Sequence, residues 1–158
     1  MATQQKGGKT MKKNKGFTLI ELLIVMSVIA ILISIALPSF RGMQTEARKT
    51  KAQGDTRTLQ IAIESYYSDH GNMYPAETNY QTTLTGSAIQ ILTNILYDPF
   101  GSTSTTTYSY SLSTHDPTTS KYYIIYSVGP AGNGTAAVNA TGQITATNDA
   151  IWISNGHL

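Results

Sequence analysis

The feature that most limits what this chain can become is an uninterrupted apolar run. Residues 17–40 read FTLIELLIVMSVIAILISIALPSF, and among these 24 positions only Thr18, Glu21, Ser27, Ser34 and Ser39 are polar. As an α-helix the run extends roughly 36 Å at about 1.5 Å per residue, enough to cross a hydrocarbon core about 30 Å thick. Lys6, Lys9, Lys12, Lys13 and Lys15 precede it and no comparable cluster directly follows. That asymmetry predicts a cytoplasmic N-terminus and an exported remainder. A cleaved secretory signal accounts for the run poorly, because its apolar core is typically about 7–15 residues and ends in a small-residue cleavage site. A plain membrane anchor explains length and charge but leaves Glu21 without a reason, since a carboxylate in a membrane helix is costly and usually functional.

Beyond this segment the 158 residues leave room for one small domain. The formal net charge of +2 comes from the leading lysines; after them six basic face nine acidic side chains. From Leu59 onward Lys121 is the sole base against six carboxylates, so the head has little with which to neutralise phosphates and nucleic acid is not its expected partner. The absence of cysteine excludes disulfides and thiolate metal sites. His70, His115 and His157 are scattered, without a nucleophile motif or metal-binding helical spacing, which speaks against a tethered enzyme.

One short stretch is more specific. Lys15-Gly16-Phe17-Thr18-Leu19-Ile20-Glu21-Leu22, leading into the apolar run, resembles the prepilin signature of type IV pilins and type II secretion pseudopilins. The resemblance implies a structural filament subunit: a membrane prepilin peptidase cuts after Gly16 and methylates the new N-terminus at Phe17. The residues suit that chemistry, because Gly16 presents an unobstructed backbone between a charged leader and an apolar helix. Cleavage creates an ammonium four positions before Glu21. The carboxylate then has a partner within its own turn or, as the family implies, on the neighbouring subunit, where pairing sets axial register. An unpaired intramembrane carboxylate is expensive, so subunit addition that supplies a partner is favoured. The alternative is that Glu21 snorkels to the cytoplasmic interface. Two starts stand for the leader, the 16 residues from Met1 or the six from Met11.

These readings divide the chain into a cleaved leader (1–16), a transmembrane and assembly helix (17–40), its amphipathic continuation (41–70) and a globular head (71–158). Pro38, which lacks an amide proton for the Ser34 carbonyl, and Gly42 predict a kink or soft joint; in pilin-like filaments this stretch can lose helicity on assembly. The helix should continue to about Asp69, with Leu59, Ala62, Ile63 and Tyr66 forming a face that seeks a core. His70-Gly71-Asn72 supplies the stop. Residues 88–96 (AIQILTNIL) are expected as a short helix, Asp98-Pro99-Phe100-Gly101 as a turn, and residues 108–112 and 121–128 as strands, with 142–147 as a third, weaker one. The expected fold is α+β, a long hydrophobic-to-amphipathic helix on a small antiparallel sheet of about three strands.

Within the class, the head resembles the major pseudopilin of type II secretion in three places: Asp98-Pro99-Phe100-Gly101 followed by Tyr108-Ser109-Tyr110, Tyr126-Ser127-Val128-Gly129-Pro130-Ala131-Gly132, and Asn148-Asp149-Ala150-Ile151-Trp152. That likeness implies a homo-oligomeric filament, an inner-membrane assembly platform with its ATPase, and a precursor held in the inner membrane; a type IV pilin building a surface pilus is the alternative. It also implies calcium in the C-terminal loop, for which Asp149, Asn148 and Asn133 are the candidate ligands, although Ala131 stands where the family has an Asp. One carboxylate is a small charge for a divalent ion, and a loop held by its own hydrogen bonds is the other reading.

Overall fold

The computed structural model describes residues 16–86 and 91–157. The leader lysines, Met11 and residues 88–90 of the expected short helix lie outside the described residues. The chain divides into two units, Met1–Arg41 and Gly42–Leu158, each described by itself. Helix α1, Leu19–Asp69, contributes to both.

In the first unit every residue from 17 to 40 is exposed. By length and composition the helix can cross a membrane, with a mean hydropathy of 2.8 over its most apolar window. Its hydroxyls fit that solvent: Ser27 Oγ and Ser34 Oγ each donate to the carbonyl three residues back, Ile24 and Ile31, at 2.7 Å. Polar groups satisfied inside the helix are what hydrocarbon demands. Pro38 lies within α1, and the helix continues through it and through Gly42, so the expected joint is helical here.

In the second unit α1 turns Ala52, Thr56, Leu59, Ala62 and Ile63 inward, a spacing of three and four that marks one helical face. The helix closes as its sequence predicts. The Asn72 amide donates to the Tyr67 carbonyl at 3.0 Å, while Gly71 takes φ 66°, the left-handed C-terminal cap that glycine adopts without strain.

Five short strands follow a second helix, α2 (Tyr80–Gly86): β1 (Ser109–Leu112), β2 (Tyr123–Ser127), β3 (Thr135–Val138), β4 (Ile144–Thr147) and β5 (Ile151–Ser154). One antiparallel sheet has the order β1-β2-β5; a separate hairpin pairs β3 with β4. Tyr110 pairs with Ile125, Ile125 with Ile153, and Val138 with Ile144. β2 is central and covered on both faces, which is why its sequence is nearly all apolar. Tyr123 and Ile125 join α1, Tyr80, Leu84, Tyr108, Tyr110 and Leu112 in the main core. Ile124 faces the other way, into a smaller cluster with Ala136, Val138 and Ile144.

Two expectations are corrected. Residues 91–96 are not helical: the Leu92 amide reaches back to the Leu84 carbonyl at 3.1 Å, and the Leu96 amide donates to Gln81 Oε1 at 2.7 Å. Tertiary hydrogen bonds to α2 overrule a helix-like apolar pattern. The strand at 142–147 exists as β4, but the third strand of the main sheet is β5, and β3 completes a hairpin that the sequence reading missed.

Candidate processing and assembly site

Gly16 and Phe17 precede the helix and are exposed; a Cβ built on Gly16 meets nothing within 4 Å, so the expected scissile bond sits in open, non-helical backbone. Four residues on, Glu21 is engaged with Thr18. The Thr18 amide and Oγ1 each donate to Glu21 Oε2 at 3.3 Å, and the Glu21 amide donates to Thr18 Oγ1 at 3.2 Å. This is a reciprocal capping box, Thr at the cap and Glu at the third helical position. It satisfies amide protons that an N-terminus leaves orphaned and supplies the carboxylate with donors before any second subunit is present. The Thr-x-x-Glu spacing was legible in the sequence and was passed over.

The head's own chemistry centres on carboxylates that hold its parts together. Asp98, 5% exposed, accepts from three places: Ser127 Oγ at 2.7 Å and the Phe100 amide at 2.9 Å on Oδ1, and the Val128 amide at 3.0 Å on Oδ2. The expected turn is there, closed by the Gly101 amide on the Asp98 carbonyl at 3.1 Å. What the sequence did not reveal is that Asp98's side chain also ties the turn to the exit of β2. Beyond that exit Gly129, at φ 69°, lies so close to the Asp149 backbone that an added Cβ would fall 2.0 Å from its carbonyl oxygen. A second device fastens the helix to the sheet. Tyr108 Oη donates to Asp55 at 2.8 Å and Tyr123 Oη to Glu64 at 2.7 Å. Burial first, and then these carboxylate partners, push both phenols well above the ordinary tyrosine value. Tyr74 is pushed up to about 12, chiefly by burial. Such groups favour the neutral phenol and serve as structural donors rather than as acids.

The C-terminal loop brings two of the candidate calcium ligands, Asn148 and Asn133, together. Asn148 Nδ2 donates to the Asn133 carbonyl at 3.3 Å, the Val128 carbonyl accepts the Gly134 amide, and the Gly129 carbonyl the Gly132 amide, both at 2.9 Å. Asp149 is exposed and is the loop's one carboxylate. Among the described residues no three of His, Cys, Asp and Glu gather as a metal site. Calcium takes six to eight oxygen ligands, and Asp149 is the one carboxylate in the candidate set of Asp149, Asn148 and Asn133. The histidines go separate ways: His70 stacks on Tyr66 with centroids 3.8 Å apart, and His115 Nδ1 contacts Glu77 at 2.8 Å.

Comparison with known proteins bears on the N-terminal geometry. A family model described as the prokaryotic N-terminal methylation motif matches residues 11–37. Among curated relatives, the type IV major pilin protein PilA of Myxococcus xanthus is 40% identical over 57 residues, covering 36% of this chain and 26% of that one. The type II secretion system core protein G of Pectobacterium carotovorum is 30% identical over 88 residues, 55% and 56% of the two chains. The N-terminal part of this chain is similar to both pilins and pseudopilins. A fimbrial protein of Pseudomonas aeruginosa matches at 35% over 83 residues, 50% of this chain and 54% of its own, so the chain spans about a quarter to just over half the length of these relatives. No solved structure matches the chain significantly. Type IV pilin, fimbrial and type II secretion core proteins are all represented among the matches. Gly16, Phe17 and Glu21 lie within the matched residues 11–37.

Proposed function

We propose that this chain is the repeating subunit of a periplasmic filament in a type II secretion system, similar to a major pseudopilin and supporting protein export. The observation that carries this reading over a surface pilus is the Asp98 junction. The Asp-Pro-aromatic-Gly turn resembling the major pseudopilin's is built around a buried carboxylate that anchors the β2 exit, so the motif has a structural role rather than a chance match. Within this reading the precursor sits in the inner membrane with its N-terminus inside. Prepilin peptidase cuts at Gly16–Phe17 and methylates Phe17, and the assembly platform with its ATPase draws the helix out of the lipid. Glu21 exchanges its Thr18 donors for the Phe17 ammonium of a neighbouring subunit, and the Pro38–Gly42 stretch yields as subunits pack. Relatives that are pilins favour a second reading, a type IV pilin in a surface pilus.

The test combines mass spectrometry of the mature N-terminus with electron microscopy of envelope and surface fractions, for wild type, Glu21→Ala and Glu21→Gln. Methylated Phe17 and filaments lost in both variants support assembly through the charge of Glu21. Filaments retained by Glu21→Gln, which preserves a capping box, confine that residue to capping. An uncut chain without multimers overturns the filament reading. Surface fibres without an export defect on deletion favour the pilus over the secretion system.

A further inference from the structure

In the second unit eight of the thirteen Asp, Glu, Lys and Arg side chains have a partner within the chain, and the five that do not are informative. Lys49 pairs with Glu46 at 3.7 Å, Lys51 with Asp55 at 2.6 Å, and His115 with Glu77 at 2.8 Å. Glu64 accepts from Tyr123, Asp98 is buried among three donors, and Asp116 accepts the Thr118 amide and hydroxyl at 2.9 and 2.8 Å. Among the described residues this leaves the side chains of Arg48, Arg57 and Lys121, and the carboxylates of Asp69 and Asp149, without hydrogen bond or ion pair. All five are exposed.

Arg57 differs from the other free cations in its surroundings. It lines a groove of 410 Å³ between α1 and β5, with Gln53 and Thr56 on the helical wall and Ile151, Trp152 and Ile153 on the other. β5 is the terminal strand of its sheet, and among the described residues no backbone bond outside the sheet reaches its outer edge. An open strand edge beside half-exposed apolar residues is a surface that proteins normally cover. One turn along α1 from Arg57, Ile61 is 70% exposed. The groove therefore calls for an occupant that brings apolar contact and a negative charge.

Among the described residues a second copy offers two free side-chain carboxylates, Asp69 and Asp149. Asp149 adjoins Ala150, which itself lines the groove, so an Arg57–Asp149 contact would set the same patch against itself. That contact closes as a two-fold dimer. An open filament needs two different patches, and Asp69 is the carboxylate that meets the requirement. It ends α1, 12 positions beyond Arg57 or roughly 18 Å along the axis, and lies close in sequence to Met73, which is 43% exposed.

We infer that the groove between α1 and β5 seats the C-terminal corner of α1 from a second copy, with the Arg57 guanidinium against the Asp69 carboxylate of the neighbouring copy. The inference rests on the filament reading proposed above. The contact is head-to-tail, so each subunit offers a groove to one neighbour and an α1 corner to another. It repeats without closing, and it covers the free edge of β5.

The chain has no cysteine, which makes the test clean. Filaments are isolated from cells producing wild type, Arg57→Glu, Asp69→Arg, the two reversals combined, Asp149→Arg, and an Arg57→Cys/Asp69→Cys double variant. The expected result is a filament yield roughly tenfold lower or worse for each single reversal, because like charges face one another across the contact. The combined reversal restores the yield, Asp149→Arg leaves it unchanged, and the oxidised cysteine pair gives a ladder of disulfide-linked multimers. Wild-type filaments accompanied by harmless single reversals, by failed restoration or by the absence of a ladder overturn the inference and leave the filament reading standing. Absence of filaments from the wild type itself overturns both.

Discussion

Asp98 offers the sharpest test of how the head is held together. Replacing it with Ala removes the acceptor for Ser127 Oγ, the Phe100 amide and the Val128 amide at once. Ser127 is fully buried, so water cannot replace the lost partner without opening the core; Phe100 and Val128 are half-buried and recover part of their bonding from solvent. Taking about 1–3 kcal/mol for a buried donor left unsatisfied and about 1 kcal/mol for each recoverable one gives a cost of about 3–5 kcal/mol. For a domain of this size that lowers the melting temperature by about 10–20 °C. Asp98→Asn keeps one accepting oxygen but presents an amide donor to the Val128 N–H, and should cost about 1–3 kcal/mol. The control is Asp149→Asn, an exposed side chain expected to change stability by no more than about 0.5 kcal/mol. The assay is thermal unfolding of the detergent-solubilised chain followed by Trp152 fluorescence. A shift for Asp98→Ala below about 4 °C, or equal to that of Asp149→Asn, would refute the claim that this carboxylate anchors the β2 exit.

Three further outcomes follow from the same geometry. In a double-mutant cycle, Tyr123→Phe and Glu64→Gln should couple by about 1 kcal/mol, a charge-assisted bond weakened by the exposure of Glu64; strict additivity would mean the bond contributes nothing. Because the fold raises the phenol pKa of Tyr74 to about 12, the folded chain holds that proton more tightly than the unfolded one. This contribution is fully present below about pH 10 and is lost as pH rises through about 12; alkaline unfolding should therefore coincide with the phenolate absorbance rise, and a melting temperature flat to pH 12 would contradict it. With Asp149 the one carboxylate in the candidate calcium set, adding calcium or a chelator should leave the melting temperature unchanged, whereas a calcium-dependent rise would show that ligands converge there.

The sequence alone determined the local features. The apolar run dictated a membrane-length helix, the Gly-Phe-x-x-x-Glu pattern its match to the N-terminal methylation motif, Gly71 its end, and Asp98-Pro99 the turn, because each depends on neighbours along the chain. The capping box of Thr18 and Glu21 was equally local and available from spacing. What only the tertiary structure decided are pairings between distant residues. β5 rather than β4 completes the main sheet, since four-residue strands of similar composition compete for the same edge and only the register with β2 selects one. The β3–β4 hairpin escaped notice because its inward positions, Ala136, Val138 and Ile144, are small or isolated and become a core only beneath Ile124. Residues 91–96 look helical by composition and are held in an irregular connection by bonds to Gln81 and Leu84. The Tyr108–Asp55 and Tyr123–Glu64 bonds span 53 and 59 residues, and no periodicity reports which hydroxyl will meet which carboxylate. Local propensity is written in the order of the side chains; the sheet order, the buried role of Asp98 and the open groove beside Arg57 arise only when the chain closes on itself.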